Sequence, residues 1–223
     1  FVSPPNNPDG LSYHLPRQIY WLQQGSLEHF HTAEDKMLMM PPLTEIIGLH
    51  FRLLSGSDRW ANAPQWLAYI LTAIASSLVA RNLGAGTRGQ VLSAFLVVTI
   101  PMAFHQASSV KNDLLLGFLL TALCAQTMRD EPVKAGVASW LPVGVNLGLI
   151  WMVKGTGLIF SVPVMAYYGV RLLKGLRWRS IFPVAAITVT TIALSFGHYS
   201  RNLSWYGSPI GEAAGAGYDL RND

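Results

Sequence analysis

Residues 180–200 read SIFPVAAITVTTIALSFGHYS, 21 positions without Asp, Glu, Lys or Arg. About 20 helical residues cover a hydrocarbon core of roughly 30 Å. Just ahead of this run stand Arg171, Lys174, Arg177 and Arg179. A charge-free run with cations crowded at one end is the pattern of a helix crossing a bilayer with that end in the cytoplasm.

Working outward, the same pattern recurs. Charge-free stretches lie at 60–80 (21 residues), 89–110 (22), 114–128 (15), 135–153 (19) and 155–170 (16). The two shortest must include a neighbouring polar residue to reach across. Pro101, Pro142, Pro163 and Pro183 do not exclude helices, since such breaks are tolerated within a bundle. The fold expected is all-α, a polytopic transmembrane helix bundle of six spans at 60–200. An external loop with interfacial helices precedes it at 1–59 and an external loop follows at 201–223.

Charge placement sets the orientation. Arg81, Arg88, Arg129, Lys134, Arg171, Lys174, Arg177 and Arg179 fall in loops on one side, whereas the short loops opposite hold only Lys111 and Lys154. The positive-inside rule puts the first group in the cytoplasm. The expected location is the inner or cytoplasmic membrane, with 1–59, Asp113, Lys154 and the segment after Ser200 on the external or periplasmic face. The net charge of +4 follows from this topology and not from nucleic-acid binding. Only 13% of residues are charged, against roughly 25% in soluble domains.

Cys124, the single cysteine, lies in an apolar run and reads as a small buried side chain. The chain opens in a Pro/Asn-rich stretch and ends in loop-like sequence, as an internal slice would. The expectation is a longer protein with at least one further span before Phe1. Within 1–59, residues 16–24 and 43–54 suit short helices. The second would lie along the interface, starting after Pro41-Pro42, stopping at Gly56, and holding Glu45 and Arg52 at the headgroups.

Several constellations admit chemistry. Asp9 in Asn7-Pro8-Asp9-Gly10 is either a turn residue or a carboxylate grouped with His14 and Arg17 at the external surface. Asp113, preceded by Lys111-Asn112, either caps the next helix or faces a polar cavity at the membrane boundary. Lys154, followed by Gly155-Thr156-Gly157, either snorkels or meets a phosphate beside a helix start. His29-Phe30-His31 lacks a third ligand at useful spacing, although a divalent metal stays open. Asn202-Leu203-Ser204 fits a glycosylation acceptor. No Walker loop, nucleophile elbow or dinucleotide fingerprint is present.

Taken in order, these motifs resemble the polytopic GT-C glycosyltransferases, among them the protein O-mannosyltransferases and lipid A aminoarabinose transferases. The resemblance rests on Asp9 followed by Tyr13-His14-Leu15-Pro16-Arg17, on Gln24-Gly25-Ser26, and on Glu34-Asp35-Lys36 ahead of Pro41-Pro42. It continues in Ala107 to Asp113, Lys154 to Gly157, and Arg201-Asn202 with Tyr206-Gly207-Ser208-Pro209. It covers almost the whole chain. In the family the acid or Lys adjoins the Pro-Pro directly, whereas here Met37 to Met40 intervene. The resemblance implies a polyprenyl-phosphate sugar donor and a hydroxyl acceptor. Asp9 would be the catalytic carboxylate and Asp113 a second external acid. Lys154 would meet the donor phosphate, helped by Arg17 or Arg201, with His14 beside them. A transporter would instead put ionisable groups in mid-span, where only His105 and Asn146 stand out. A scaffold gives no reason for Asp9, Asp113 and Lys154 to share a side.

Overall fold

The computed structural model describes residues 7–129 and 136–211. Expectations placed on residues 1–6, on Lys134 and on the tail from 212 onward, with its glycines up to Gly217, fall outside them. Among the described residues every regular element is helical. A π-turn over Gly10–His14 runs into α1 (Leu15–Gln24); α2 (Lys36–Met39) and α3 (Leu43–Ser55) follow. After a 3₁₀ turn at Asp58–Trp60 come α4 (Ala63–Asn82), α5 (Thr87–Val98), α6 (Pro101–Ala107) and α7 (Asp113–Thr127). The chain continues through α8 (Val137–Val153), α9 (Thr156–Leu176), a 3₁₀ turn at Arg177–Ser180, and α10 (Ile181–Tyr206).

The breaks have local causes. Stretch 89–110 is not one helix: Ile100, extended ahead of Pro101, separates α5 from α6, and the two axes meet at 64°. Gly56 takes φ 67 and ends α3 as its sequence suggested. Arg177, at φ 53, turns the chain so that α10 returns along α9. Two helical stretches are long and apolar enough to cross a membrane, Asp58–Asn82 and Thr156–Tyr206, or three if the bent α5–α6 pair is one span. The apolar helices α7 (15 residues) and α8 (17 residues) are shorter.

Cross-links between helices reveal their directions. Gln65 and Asn82 at the two ends of α4 bond to Lys111 and Ala125 at the corresponding ends of the α7 region, so α4 and α7 run parallel. Ser76 bonds Ser93 and Tyr69 bonds the Val98 carbonyl, which makes α5 antiparallel to α4. Asn112 reaches Val153, and Asn146 the Leu119 carbonyl, reversing α8 against α7. Thr191 bonds the Gly144 carbonyl and Tyr199 that of Trp151, so α10 lies parallel to α8. The bundle therefore has two ends. Gln65, Asp113, Lys154 and Arg201 gather at one; Arg81, Arg88, Arg129, Arg171, Lys174, Arg177 and Arg179 gather at the other.

The core is a seam of Leu116, Leu119 and Leu123 from α7, Val143 and Ile150 from α8, and Tyr168 and Leu172 from α9. The outer faces are also apolar: Ile74, Phe95, Ile159, Phe160, Val189 and Phe196 are all exposed. Helices apolar on both faces need an apolar surround. Between α8 and α10 the fit is close at the backbone, because a Cβ on Gly144 would stand 3.0 Å from both the Cα and the carbonyl oxygen of Ile187. Gly144→Val is expected to overpack that contact and cost about 1–3 kcal/mol. Gly169, with nothing within 4 Å of its virtual Cβ, should accept Ala without loss. Thermal unfolding of the two variants in detergent checks this, and equal midpoints would refute the close-packing account.

Candidate active site

The N-terminal segment is seated on the polar end of the bundle by one side chain. The Asn7 carboxamide donates to the Val110 carbonyl at 3.0 Å and accepts from the Val110 amide at 3.2 Å, as a neighbouring strand would. Gly10 makes room for it, since a Cβ there would fall 2.7 Å from Asn7 Oδ1. This seating brings the half-exposed Asp9 carboxylate to 3.6 Å from Lys111 Nζ. Lys111 belongs to the stretch leading into α7, and its carbonyl is held by Gln65. The oxygen of the same side chain, Gln65 Oε1, accepts from the Leu114 amide at 3.0 Å.

Across the same surface Lys154 Nζ donates to Asp113 Oδ1 at 2.6 Å, joining the end of α8 to the start of α7. Asn112 bonding Val153 makes a second tie two atoms of backbone away from that pair. Both acids act on the Tyr13 phenol, which is pushed above its ordinary range by burial, then by Asp9, Glu45, Asp113 and Glu34. The π-turn carries Asp9 at its start and Tyr13 and His14 within it. Such single wide turns often occur at functional sites.

Beneath this surface lies a buried ionic group. Glu45 of α3 is 1% exposed and its Oε1 stands 2.8 Å from His14 Nδ1 and 3.9 Å from Arg17. His14 is 1% and Arg17 2% exposed, so neither reaches the surface where the sequence put a phosphate. Arg17 instead donates to the carbonyls of Met40 at 2.7 Å and Leu38 at 3.3 Å and lies over the Trp21 ring. Burial draws its guanidinium down to about 10, opposed by Glu45. The reading of Glu45 as a headgroup anchor is corrected here: the polar stripe of α3 faces inward, and Leu53 and Leu54 face out. Arg52 pairs with Asp58.

Arg17 thereby shapes a wall. Met39, Met40 and Pro41 line a cavity of about 250 Å³ together with Lys154, Gly155, Thr156, Leu158, Tyr199 and Ile210. Asn202 supports the same wall by donating to the Met39 carbonyl at 3.1 Å. Leu158 also lines an apolar groove of about 540 Å³ between α8, α9 and α10, edged by Trp151, Ile159, Val162, Met165 and Ile187. The lysine cavity and the groove are thus neighbours through one side chain. Arg201 stands apart, donating to the Leu27 carbonyl at 2.8 Å.

Asp9, Asp113 and Lys154 therefore share one region, His14 and Arg17 support it from below, and Arg201 braces a loop beside it. Lys111, Tyr13 and Glu45 were not singled out as site residues by sequence. Their signal was positional: Lys111 is two residues from Asp113 and Tyr13 four from Asp9. His29 and His31 both pack against Trp205. Among the described residues no group of three or more His, Cys, Asp or Glu side chains is placed to hold a metal ion.

Two predictions follow from the electrostatics. Glu45→Ala leaves the buried Arg17 without its carboxylate and should destabilise the fold by about 3–5 kcal/mol, read from unfolding midpoints. An unchanged midpoint would refute the role of the ionic group. His29 is drawn down from 6.5 to about 4 by burial, then by Arg201 and Arg17. The unfolded chain then binds a proton that the folded one refuses, so this group's contribution weakens as pH falls from about 6.5 to about 4. His29→Gln should flatten that part of a melting-temperature-versus-pH curve.

No family model matches the chain, and neither a curated protein nor a solved structure matches it.

Proposed function

We propose that the chain is a membrane glycosyltransferase of GT-C type and carries donor-binding and catalytic residues of its site. It would take a sugar from a polyprenyl-phosphate and place it on a hydroxyl at the external face. The observation that carries this reading is the shared side chain Leu158. A cationic cavity at Lys154 opens beside a long apolar groove, the two halves of a site for a phosphate on a hydrocarbon tail. In the same reading α4, the α5–α6 pair, α7, α8, α9 and α10 are six crossings. The alternating helix directions and the gathering of seven arginines and lysines at one end support it. Asn146, the polar residue in mid-helix, is engaged with Leu119 and Gln126, which favours a locked helix pair over a transport path.

The chemistry is a displacement at the anomeric carbon. The acceptor hydroxyl oxygen forms the new C–O bond while the bond from that carbon to the phosphate oxygen breaks. Asp9 takes the hydroxyl proton, and the phosphate departs with the lipid. General-base help of this kind is worth about 10²–10⁴-fold. Lys154 stabilises the charge that develops on the departing phosphate. Lys111 orients the Asp9 carboxylate, and Asp113 holds Lys154 at the cavity until a phosphate takes its place.

Asp9→Asn in the full-length protein should lower turnover about 10²-fold or more with donor binding little changed, since the interaction belongs to the transition state. Lys154→Ala should weaken donor binding as well as slow transfer, because a phosphate contact exists in the ground state too. The measurement is transfer from a polyprenyl-phosphate sugar, normalised to folded, membrane-inserted protein. Wild-type specific activity in Asp9→Asn would sink the mechanism.

A further inference from the structure

At the opposite end of the bundle a second cleft, of about 270 Å³, opens between α4, α7 and α8. Its lining is divided by chemistry. Arg81, in the last turn of α4, and Arg129, just beyond α7, stand at one end with Asn82 and Gln126; Leu71, Ile74, Leu78 and Phe118 continue from them toward the middle of the bundle. The amides are already engaged in ways that fix this shape. Asn82 donates to the Ala125 carbonyl at 2.7 Å, pinning α4 to α7, and Gln126 Oε1 accepts from Asn146 at 3.2 Å. Neither arginine has a carboxylate within ion-pair distance among the described residues. Arg171, by contrast, is spent on the Thr127 carbonyl at the end of α7.

The length of the cleft selects its occupant. From Arg81 to Leu71 is ten residues of α4, about 15 Å at ~1.5 Å per residue. That is half of a hydrocarbon core of roughly 30 Å, one leaflet deep. Leu71 and Ile74 are exposed, so the apolar part is open to the surround of the bundle. Two cations at an interface over an exposed apolar channel one leaflet deep complement a lipid whose headgroup is anionic. A free phosphate ester would satisfy the arginines and leave the channel unused.

We propose that this cleft binds one anionic phospholipid, its phosphate on Arg81 and Arg129 and an acyl chain along Leu71, Ile74 and Leu78. The proposal rests on the bundle crossing a bilayer and is independent of the transfer reaction. The bound lipid ties α4 to the end of α7, at the end of the bundle away from Lys154.

Native mass spectrometry of the full-length protein in neutral detergent tests it, with dioleoylphosphatidylglycerol and dioleoylphosphatidylcholine as probes. One phosphatidylglycerol should be retained with a preference on the order of 10-fold or more over phosphatidylcholine. R81Q/R129Q should bring the anionic lipid down to the level of the zwitterionic one. Ala122→Phe keeps both arginines and fills the apolar lining, and it should reduce retention of phosphatidylglycerol. Should the double variant fail to fold, R81Q and R129Q singly should each give a partial loss. Unchanged preference in the arginine variants, no preference in the parent protein, or full retention in Ala122→Phe would overturn the proposal. Equal displacement by tail-less glycerol phosphate would overturn it in favour of a soluble phosphate ester. None of these outcomes bears on transfer by Asp9 and Lys154, which is assayed separately.

Discussion

The Glu45 carboxylate sits in the interior between an imidazole and a guanidinium, and the polar end of the molecule is built upward from that contact. An unpaired charge in such a place costs several kcal/mol, so the three side chains hold one another in position. Each belongs to a different stage of the chain: His14 closes the π-turn, Arg17 begins α1, and Glu45 begins α3. Locking them together fixes the angle between α1 and α3. It also leaves the Arg17 fork free to take two carbonyls of the segment at Leu38 to Met40. That segment is a wall of the Lys154 cavity, so a buried ion cluster and a surface site are one construction.

The bundle below is held by a different economy. In the proposed bilayer setting helices gain nothing from leaving water, and association rests on packing and on hydrogen bonds worth about 0.6–2 kcal/mol each. The ties seen here are of that type. Asn82, Asn112, Asn146, Arg171, Thr191 and Tyr199 each reach a carbonyl on another helix. Gly144 supplies the close backbone approach that lets α8 and α10 use such bonds. These six side chains thus act as fasteners between the helices.

Much of this was legible in the sequence because charge is expensive in an apolar surround. The charge-free stretches became helices, and the cationic loops came together at one end without any long-range information. Asp113 and Lys154 were readable as neighbours for the same reason: a helix pair connecting the ends must bring its polar termini together. What could not be read was which face of a helix turns inward. The stripe of Glu45 and Arg52 on α3 is the same whether it faces headgroups or a core. The decision is made by the His14 ring and the Arg17 guanidinium, some thirty residues earlier, which give the buried Glu45 carboxylate its partners. The break at Pro101 was visible as a proline but not as a 64° bend, because a span-length run of apolar residues looks alike whether straight or folded. Lys111 was not assigned to the site because its partner, Asp9, is brought to it only by Asn7 grasping Val110.

The two kinds of ion pair at the polar end divide the work of a site. The Glu45 cluster is buried, and exchanging any member for water is costly, so it keeps its geometry. The pair Lys154–Asp113 is more than a third exposed on both sides, and Asp9–Lys111 is half-exposed at the acid. Pairs of that exposure are worth about 0–1 kcal/mol. In the proposed reaction the donor phosphate can therefore displace Asp113 from Lys154 with little penalty. Asp9 has a separate partner in Lys111, so its placement does not depend on the Lys154–Asp113 pair. The buried cluster that fixes orientation lies one layer beneath the half-exposed pairs, whose partners exchange at little cost, as the proposed reaction requires.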